Sequence, residues 1–357
     1  MIRLDDLDRI KKLDSGKVAE SIAVLPLQIR QVIADAGSIK VPNSYNQVTE
    51  VVINGMGGSN IGVGILKSVF GDQLKVPVII TPGYEVPAYV GPDTLYIISS
   101  YSGTTEEPLS VYAEVKKRGA KIMAIAESGK GKLQDLIIKD KLPAYVFKPA
   151  HNPSGQPRYG LGYSVFGMMM LLAKAGLINI NEKEIEDLIE QLEYRNDGLK
   201  PQAEEKNNLA KKIASQLFSR QPILVSAEFL IGNMRAMRNQ FCESSKNFAS
   251  YLVLPDLNHF AMEGLVNPAS NKQNLIFLFF DSSLYHPRVQ KRAELTREVI
   301  KKNGIGAIDY KLTGATKLEQ AFELLQLGSW ISFYLGMLNQ VNPVEIPWVD
   351  WFKKRLD

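Results

Sequence analysis

Short β-branched runs recur along this chain, each followed by a stretch of helical period, and that alternation restricts the fold more than any other feature. Val51-Val52-Ile53, Val78-Ile79-Ile80, Leu95–Ile98, Lys121–Ala126 and Tyr145–Phe147 read as buried strands. Gly62–Phe70, Ser110–Arg118 and Gly162–Ala175 read as helices. Strands this apolar, without polar alternation, belong to a parallel sheet covered on both faces. A second series begins at Ile223-Leu224-Val225 and continues through helix Met234–Phe241, strand Leu275–Phe280, helix Pro287–Lys302, strand Ala307–Tyr310 and helix Leu318–Leu338. The prediction is an α/β protein with two doubly wound parallel-sheet domains over residues 46–180 and 217–340.

The remainder reads as helix and tail. In residues 1–45, Val18, Ile22, Leu25, Ile29 and Val32 recur at spacings of three and four. Pro26 divides that N-terminal helical segment and Pro42 ends it. Residues 181–216 are highly charged and predict a helical connector, while 341–357 form a C-terminal tail with Trp348 and Trp351 before Lys353, Lys354 and Arg355.

With 357 residues the chain exceeds one ordinary core, and 45% hydrophobic against 22% charged residues describes a globular protein. Its 42 basic and 38 acidic side chains leave a net charge of +4 that no segment concentrates. That balance suits a small anionic ligand and gives no footing for nucleic acid. The single cysteine, Cys242, permits no internal disulfide, fits a reducing compartment and reads as a buried thiol. The charged N-terminus is no signal peptide, and no apolar run reaches the roughly 18 residues of a membrane span. The expectation is a cytoplasmic protein.

Two loops carry chemistry. Asn54-Gly55-Met56-Gly57-Gly58-Ser59-Asn60 lies between a strand and a helix, where the glycines Gly57 and Gly58 let backbone N–H groups approach an anion. A dinucleotide site fits badly, because its third glycine would fall on Asn60 and the next strand ends in Thr81-Pro82 without an acidic residue for a ribose. Ser99–Glu107 places five Ser/Thr hydroxyls at the carboxyl end of another strand. Hydroxyls and helix N–H groups together make a phosphate cradle that needs no lysine. The plainer alternative is a capping box of Thr104 with Glu107, which accounts for one hydroxyl only.

Gly55-Met56-Gly57-Gly58-Ser59 and Ser100-Tyr101-Ser102-Gly103-Thr104-Thr105-Glu106 resemble the sugar isomerase (SIS) family. Four further segments narrow the resemblance to the bifunctional phosphoglucose/phosphomannose isomerases of archaeal and bacterial type. These are Gln156-Pro157-Arg158, Asn239–Lys246, Asn258–Gly264, and Asn342-Pro343 with Val349–Lys353. The resemblance covers about residues 45 to 357. It implies SIS-type domains, a metal-independent aldose–ketose isomerase and no cofactor. The phosphate would rest on Ser59, Ser100, Ser102 and Thr105, with Gly57 and Gly58 lending backbone.

Proton transfer between adjacent carbons through a cis-enediol needs one base on one face, and the resemblance implies Glu243 for it. It implies His259 for ring opening, reached from a neighbouring subunit of a homodimer, and Arg158 as the charge facing the enediolate oxygens. Lys353 would hydrogen-bond ring or chain oxygens. Bifunctional relatives carry a threonine seven residues before that lysine, where this chain has Ile346, the candidate determinant of epimer preference. The three histidines show no H-x-H or H-x-x-x-H spacing, so the reading includes no metal site, and His151 and His286 receive no function. The competing reading is a noncatalytic SIS protein that senses a sugar phosphate. It would keep the hydroxyl loop without needing Glu243, His259 and Arg158 together.

Overall fold

The computed structural model describes residues 3–129 and 131–356. Met1 and Ile2 of the N-terminal segment and Asp357 of the tail lie outside them. The chain divides into two compact units, Val24–Glu190 and a second made from Met1–Ala23 with Gln191–Asp357. The N-terminal helical segment therefore contributes to both. It carries helices Val18–Ala23 and Leu25–Asp35, and Pro26 sits in the first turn of the latter, where its missing N–H costs nothing. The charged stretch 181–216 carries helices Glu182–Leu199 and Leu209–Leu217.

In the Val24–Glu190 unit, β1 (Glu50–Gly55), β2 (Val78–Ile80), β3 (Thr94–Ser99), β4 (Lys121–Glu127) and β5 (Ala144–Phe147) form one parallel sheet in the order β2-β1-β3-β4-β5. Val51, Val52, Ile53 and Leu95–Ile98 are fully buried, as their unbroken apolar character requires. Tyr96 and Ile98 pack with Val115, Leu133 and Ile137 from helices Tyr112–Lys117 and Gly131–Asp140. The helices Gly57–Val69 and Leu161–Lys174 pack on each other. Chain order reverses direction across the sheet between β1 and β3, so the loops leaving these neighbours diverge at their carboxyl ends, the switch point where open α/β sheets take ligands.

The other unit holds β6 (Gln221–Ala227), β7 (Ser250–Leu254), β8 (Leu275–Asp281) and β9 (Gly306–Lys311), all parallel, in the order β7-β6-β8-β9. β7, the Gly131–Asp140 helix and the one-turn helix Asn271–Asn274 fall outside the sequence-based expectation. β7 is the edge strand of its sheet and buries only Leu254 fully, so it lacks the fully buried apolar core that marks β1, β3 and β8. The helix Lys317–Leu338 is buried almost all round and packs on helices Leu209–Leu217 and Ile231–Gln240. Glu319, Gln320, Glu323 and Gln326 interrupt it, and no helix among the described residues is long and apolar enough to cross a membrane.

Candidate active site

The register of β1 with β3 pairs Gly55 with Ser99, so the glycine loop and the hydroxyl loop leave the sheet side by side. They are then bonded together: Ser59 Oγ accepts the Tyr101 N–H at 2.9 Å, and Ser99 Oγ donates to the Ser59 carbonyl at 3.3 Å. Gly57 takes φ +50°, in the left-handed region that a side chain rarely adopts. A Cβ on Gly58 would lie 3.0 Å from both the carbonyl carbon and oxygen of Pro157, backbone atoms that cannot yield. That close approach seats the Pro157–Tyr159 turn, and Arg158 with it, directly against the glycine loop. The Gly57–Val69 helix has no side-chain cap from its N-cap residue Met56, which leaves its first turn to an anion or to water.

Within the second loop, Ser100 Oγ donates to Thr105 Oγ1 at 2.8 Å and accepts the Thr105 N–H at 3.3 Å. Ser102 Oγ lies 2.9 Å from Thr104 Oγ1 and accepts the Thr104 N–H at 3.3 Å. The helix Glu106–Ser110 starts after Thr105, whose side chain makes no cap bond, so the capping box of Thr104 with Glu107 does not form. Thr104 thereby stays in the hydroxyl cluster, although the resemblance gave it no part in holding the phosphate. Arg158 is 4% exposed and donates from Nη1 to Gln156 Oε1 at 2.8 Å, which places it in the interior rather than in a surface ion pair. Burial pushes the Tyr101 hydroxyl above the ordinary tyrosine value, opposed in part by the bond from Asn152. This one unit thus brings Gly57, Gly58, Ser59, Ser100, Ser102, Thr105 and Arg158 to the carboxyl edge of a single sheet.

Glu243, His259, Ile346 and Lys353 belong to the other unit. The helix Ile231–Gln240 continues into a π-helical turn, Phe241–Ser245, a wide turn frequent at functional sites. Phe241, Ser244 and Ser245 point inward and Glu243 is half-buried. Cys242, expected as a buried thiol, is exposed, because the wide turn directs its neighbours to the core and the thiol outward. The turn is fastened from several sides. Ser332 Oγ donates to the Gln240 carbonyl at 2.8 Å, Asn339 Nδ2 to the Ser245 carbonyl at 2.9 Å, and Lys246 Nζ to the Glu243 carbonyl at 2.9 Å.

Glu243 precedes β7 and His259 follows it, in the turn Asp256–His259, so the two flank opposite ends of this edge strand. A five-residue strand at about 3.3 Å per residue spans about 16 Å. His259 is exposed, while Asn258 beside it donates to Thr296 Oγ1 at 2.8 Å and accepts from Arg292 Nη1 at 3.3 Å. Lys353 is exposed on the helix Pro347–Leu356, which has no buried residue. Among the described residues no group of three or more His, Cys, Asp or Glu side chains could hold a metal ion.

The family described as bacterial phospho-glucose isomerase C-terminal SIS domain matches residues 206–356. The chain is 35% identical over 346 residues to a bifunctional phosphoglucose/phosphomannose isomerase of Caldicellulosiruptor bescii, covering 94% of this chain and 98% of the relative. A protein of the same description from Aquifex aeolicus is 29% identical over 309 residues, covering 86% and 90%. Among solved structures, a hypothetical protein from Thermus thermophilus superposes with TM-score 0.75 at 18% identity, covering 98% of this chain and 94% of the other. Tagatose-6-phosphate ketose/aldose isomerase from Escherichia coli does so with TM-score 0.65 at 14% identity, covering 95% and 94%. These two likenesses carry the fold alone.

Proposed function

Because this chain belongs to the family of bifunctional phosphoglucose/phosphomannose isomerases, we propose that it interconverts glucose 6-phosphate and mannose 6-phosphate with fructose 6-phosphate through a cis-enediol, without a metal or redox cofactor. The observation that carries this reading is the seating of Arg158 against a glycine loop bonded to a cluster of hydroxyls. Ser59, Ser100, Ser102, Thr105 and the first-turn N–H groups of Gly57 and Gly58 take the phosphate. A permanent guanidinium charge beside them meets the enediolate oxygens as they become negative. Glu243 removes the proton from one carbon and returns it to its neighbour, a shuttle that needs a single carboxylate on one face of the intermediate. His259 opens the sugar ring, and Lys353 hydrogen-bonds its oxygens.

The same reading makes the protein a homodimer in which His259 of one copy serves the Glu243 of the other, consistent with the two residues lying before and after β7, at its opposite ends. It also places the enzyme in the cytoplasm, where the exposed Cys242 thiol stays reduced. A coupled assay with glucose 6-phosphate and mannose 6-phosphate side by side, with and without a chelator, tests the proposal. Turnover of glucose 6-phosphate with competitive inhibition by inorganic phosphate is expected, and the chelator should leave the rate unchanged. Failure to turn over either epimer would end the isomerase reading.

A further inference from the structure

A continuous series of hydrogen bonds joins the phosphate loops to Arg158, and the roles above use only its two ends. Ser59 Oγ accepts the Tyr101 N–H at 2.9 Å. The Tyr101 hydroxyl accepts from Asn152 Nδ2 at 3.0 Å, and the same nitrogen donates to the main-chain carbonyl of Gln156, also at 3.0 Å. Asn152 Oδ1 takes the Ser154 hydroxyl at 2.9 Å, so the amide's orientation is fixed by its partners at both ends. Gln156 Oε1 then accepts from Arg158 Nη1 at 2.8 Å. Tyr101, Asn152 and Arg158 are 6%, 5% and 4% exposed, which makes each of these bonds costly to misplace.

The residue type at position 156 is informative. A buried guanidinium needs an acceptor to fix its planar fork, and a carboxylate would be the stronger one. A carboxylate would also neutralise the charge intended for a developing oxyanion. A glutamine amide orients the fork without itself adding a negative charge. We propose that Gln156 is a positioning residue for the isomerisation, holding the Arg158 guanidinium through its side-chain carbonyl while Asn152 ties its main chain to Tyr101 and so to the phosphate loops. The inference rests on the role given to Arg158 above.

Two competitive inhibitors separate aim from folding. A five-carbon aldonate 5-phosphate carries a carboxylate where enediolate charge would form, whereas a six-carbon sugar alcohol 6-phosphate is uncharged there. In Gln156→Leu the aldonate phosphate should bind about tenfold or more weakly, the alcohol phosphate within about twofold of wild type, and kcat should fall with little change in KM. Gln156→Glu keeps an acceptor in place, so it should retain the thermal midpoint and still weaken the aldonate selectively, because the carboxylate cancels the net positive charge of the pair. Arg158→Met serves as the reference and should show the same selective loss. Equal weakening of both inhibitors in Gln156→Leu, or no weakening of either, overturns the positioning role while Arg158→Met still responds. An Arg158→Met variant with wild-type selectivity overturns the Arg158 assignment and this proposal together.

Discussion

Lys246 Nζ donates to the main-chain carbonyl of Asn342 at 2.7 Å while also holding the Glu243 carbonyl at 2.9 Å. Its own backbone is left-handed, φ 52°, and closes the π-helical turn. One ammonium therefore ties the turn that carries Glu243 to the segment leading into the Lys353 helix. Hydrogen bonds from a charged donor are worth about 1.5–3 kcal/mol each, less at an exposed position such as this. Lys246→Met should lower kcat about tenfold with KM nearly unchanged, and should speed proteolytic cleavage between residues 342 and 356. Lys246→Arg should recover part of both. Wild-type kcat and an unchanged cleavage rate in Lys246→Met would show that the tether positions nothing.

Placement of Glu243 and His259 at opposite ends of β7 gives a subunit-mixing experiment a definite outcome. Glu243→Gln alone should lose about 10²–10⁴ in kcat with binding retained, and His259→Asn should impair cyclic substrate more than the open-chain form. When the two variants are mixed equally and reassorted, half the dimers are hybrids with one site intact and one doubly damaged. Activity on cyclic substrate should then rise to about a quarter of wild type in a two-fold symmetric dimer. If the mixture is no more active than its parents, each site draws both residues from one chain.

The strands and helices of both sheets were readable because β-branched runs fully buried in a parallel sheet show no polar alternation. β7 escaped because it is an edge strand whose residues before Leu254 are only partly buried, so it does not show the fully apolar run of an interior strand. At the site, residue type and order pointed to the hydroxyl loops and Arg158. The close approach of Gly58 to Pro157 depends on packing between segments about a hundred residues apart, which no local pattern encodes. Lys246 and Gln156 act through bonds between a side chain and a carbonyl or a guanidinium, so nothing in their own neighbourhoods marks them. The exposed Cys242 was misread for a related reason: a π-helical turn shifts the inward-facing set relative to the period of an α-helix.

The fully buried Lys211 places its three donors on Asp5 Oδ1 at 2.9 Å and on the carbonyls of Pro201 and Ala203, each at 2.8 Å. The bond from Lys211 holds the Asp5 carboxyl below its ordinary value. A carboxylate whose folded pKa is lowered stabilises the fold fully above its unfolded pKa, near about 3.9, and loses that contribution as pH falls through the folded value. Asp5→Asn should therefore lower the urea midpoint at pH 7, and the gap to wild type should close as the pH drops below about 4. Lys211→Met should cost about 2–4 kcal/mol, because two carbonyls lose their donor and Asp5 its partner. A gap for Asp5→Asn that persists unchanged at pH 3 would mean that the charge of Asp5 contributes nothing.

Ile346 accepts the Asp350 N–H at 3.0 Å on its carbonyl and immediately precedes Pro347, the first residue of the C-terminal helix. It stands where a helix favours Ser, Thr, Asp or Asn, and its side chain can offer no oxygen to the first-turn N–H groups. A threonine here could do two separable things. It could cap the helix that carries Lys353, which would affect both epimers alike, or it could hydrogen-bond the C2 hydroxyl whose direction alone distinguishes mannose from glucose. The second effect is worth about 1–3 kcal/mol where a polar partner is otherwise missing. With isoleucine in place, turnover of glucose 6-phosphate should exceed that of mannose 6-phosphate. Ile346→Thr should raise kcat/KM for the mannose epimer relative to the glucose epimer by about fivefold or more, while Ile346→Val, which adds no hydroxyl, should leave the ratio within about twofold. A rise of both epimers by one common factor, with slower cleavage of the tail, would assign the threonine to capping. A ratio in Ile346→Thr within about twofold of wild type would show that position 346 does not govern epimer choice.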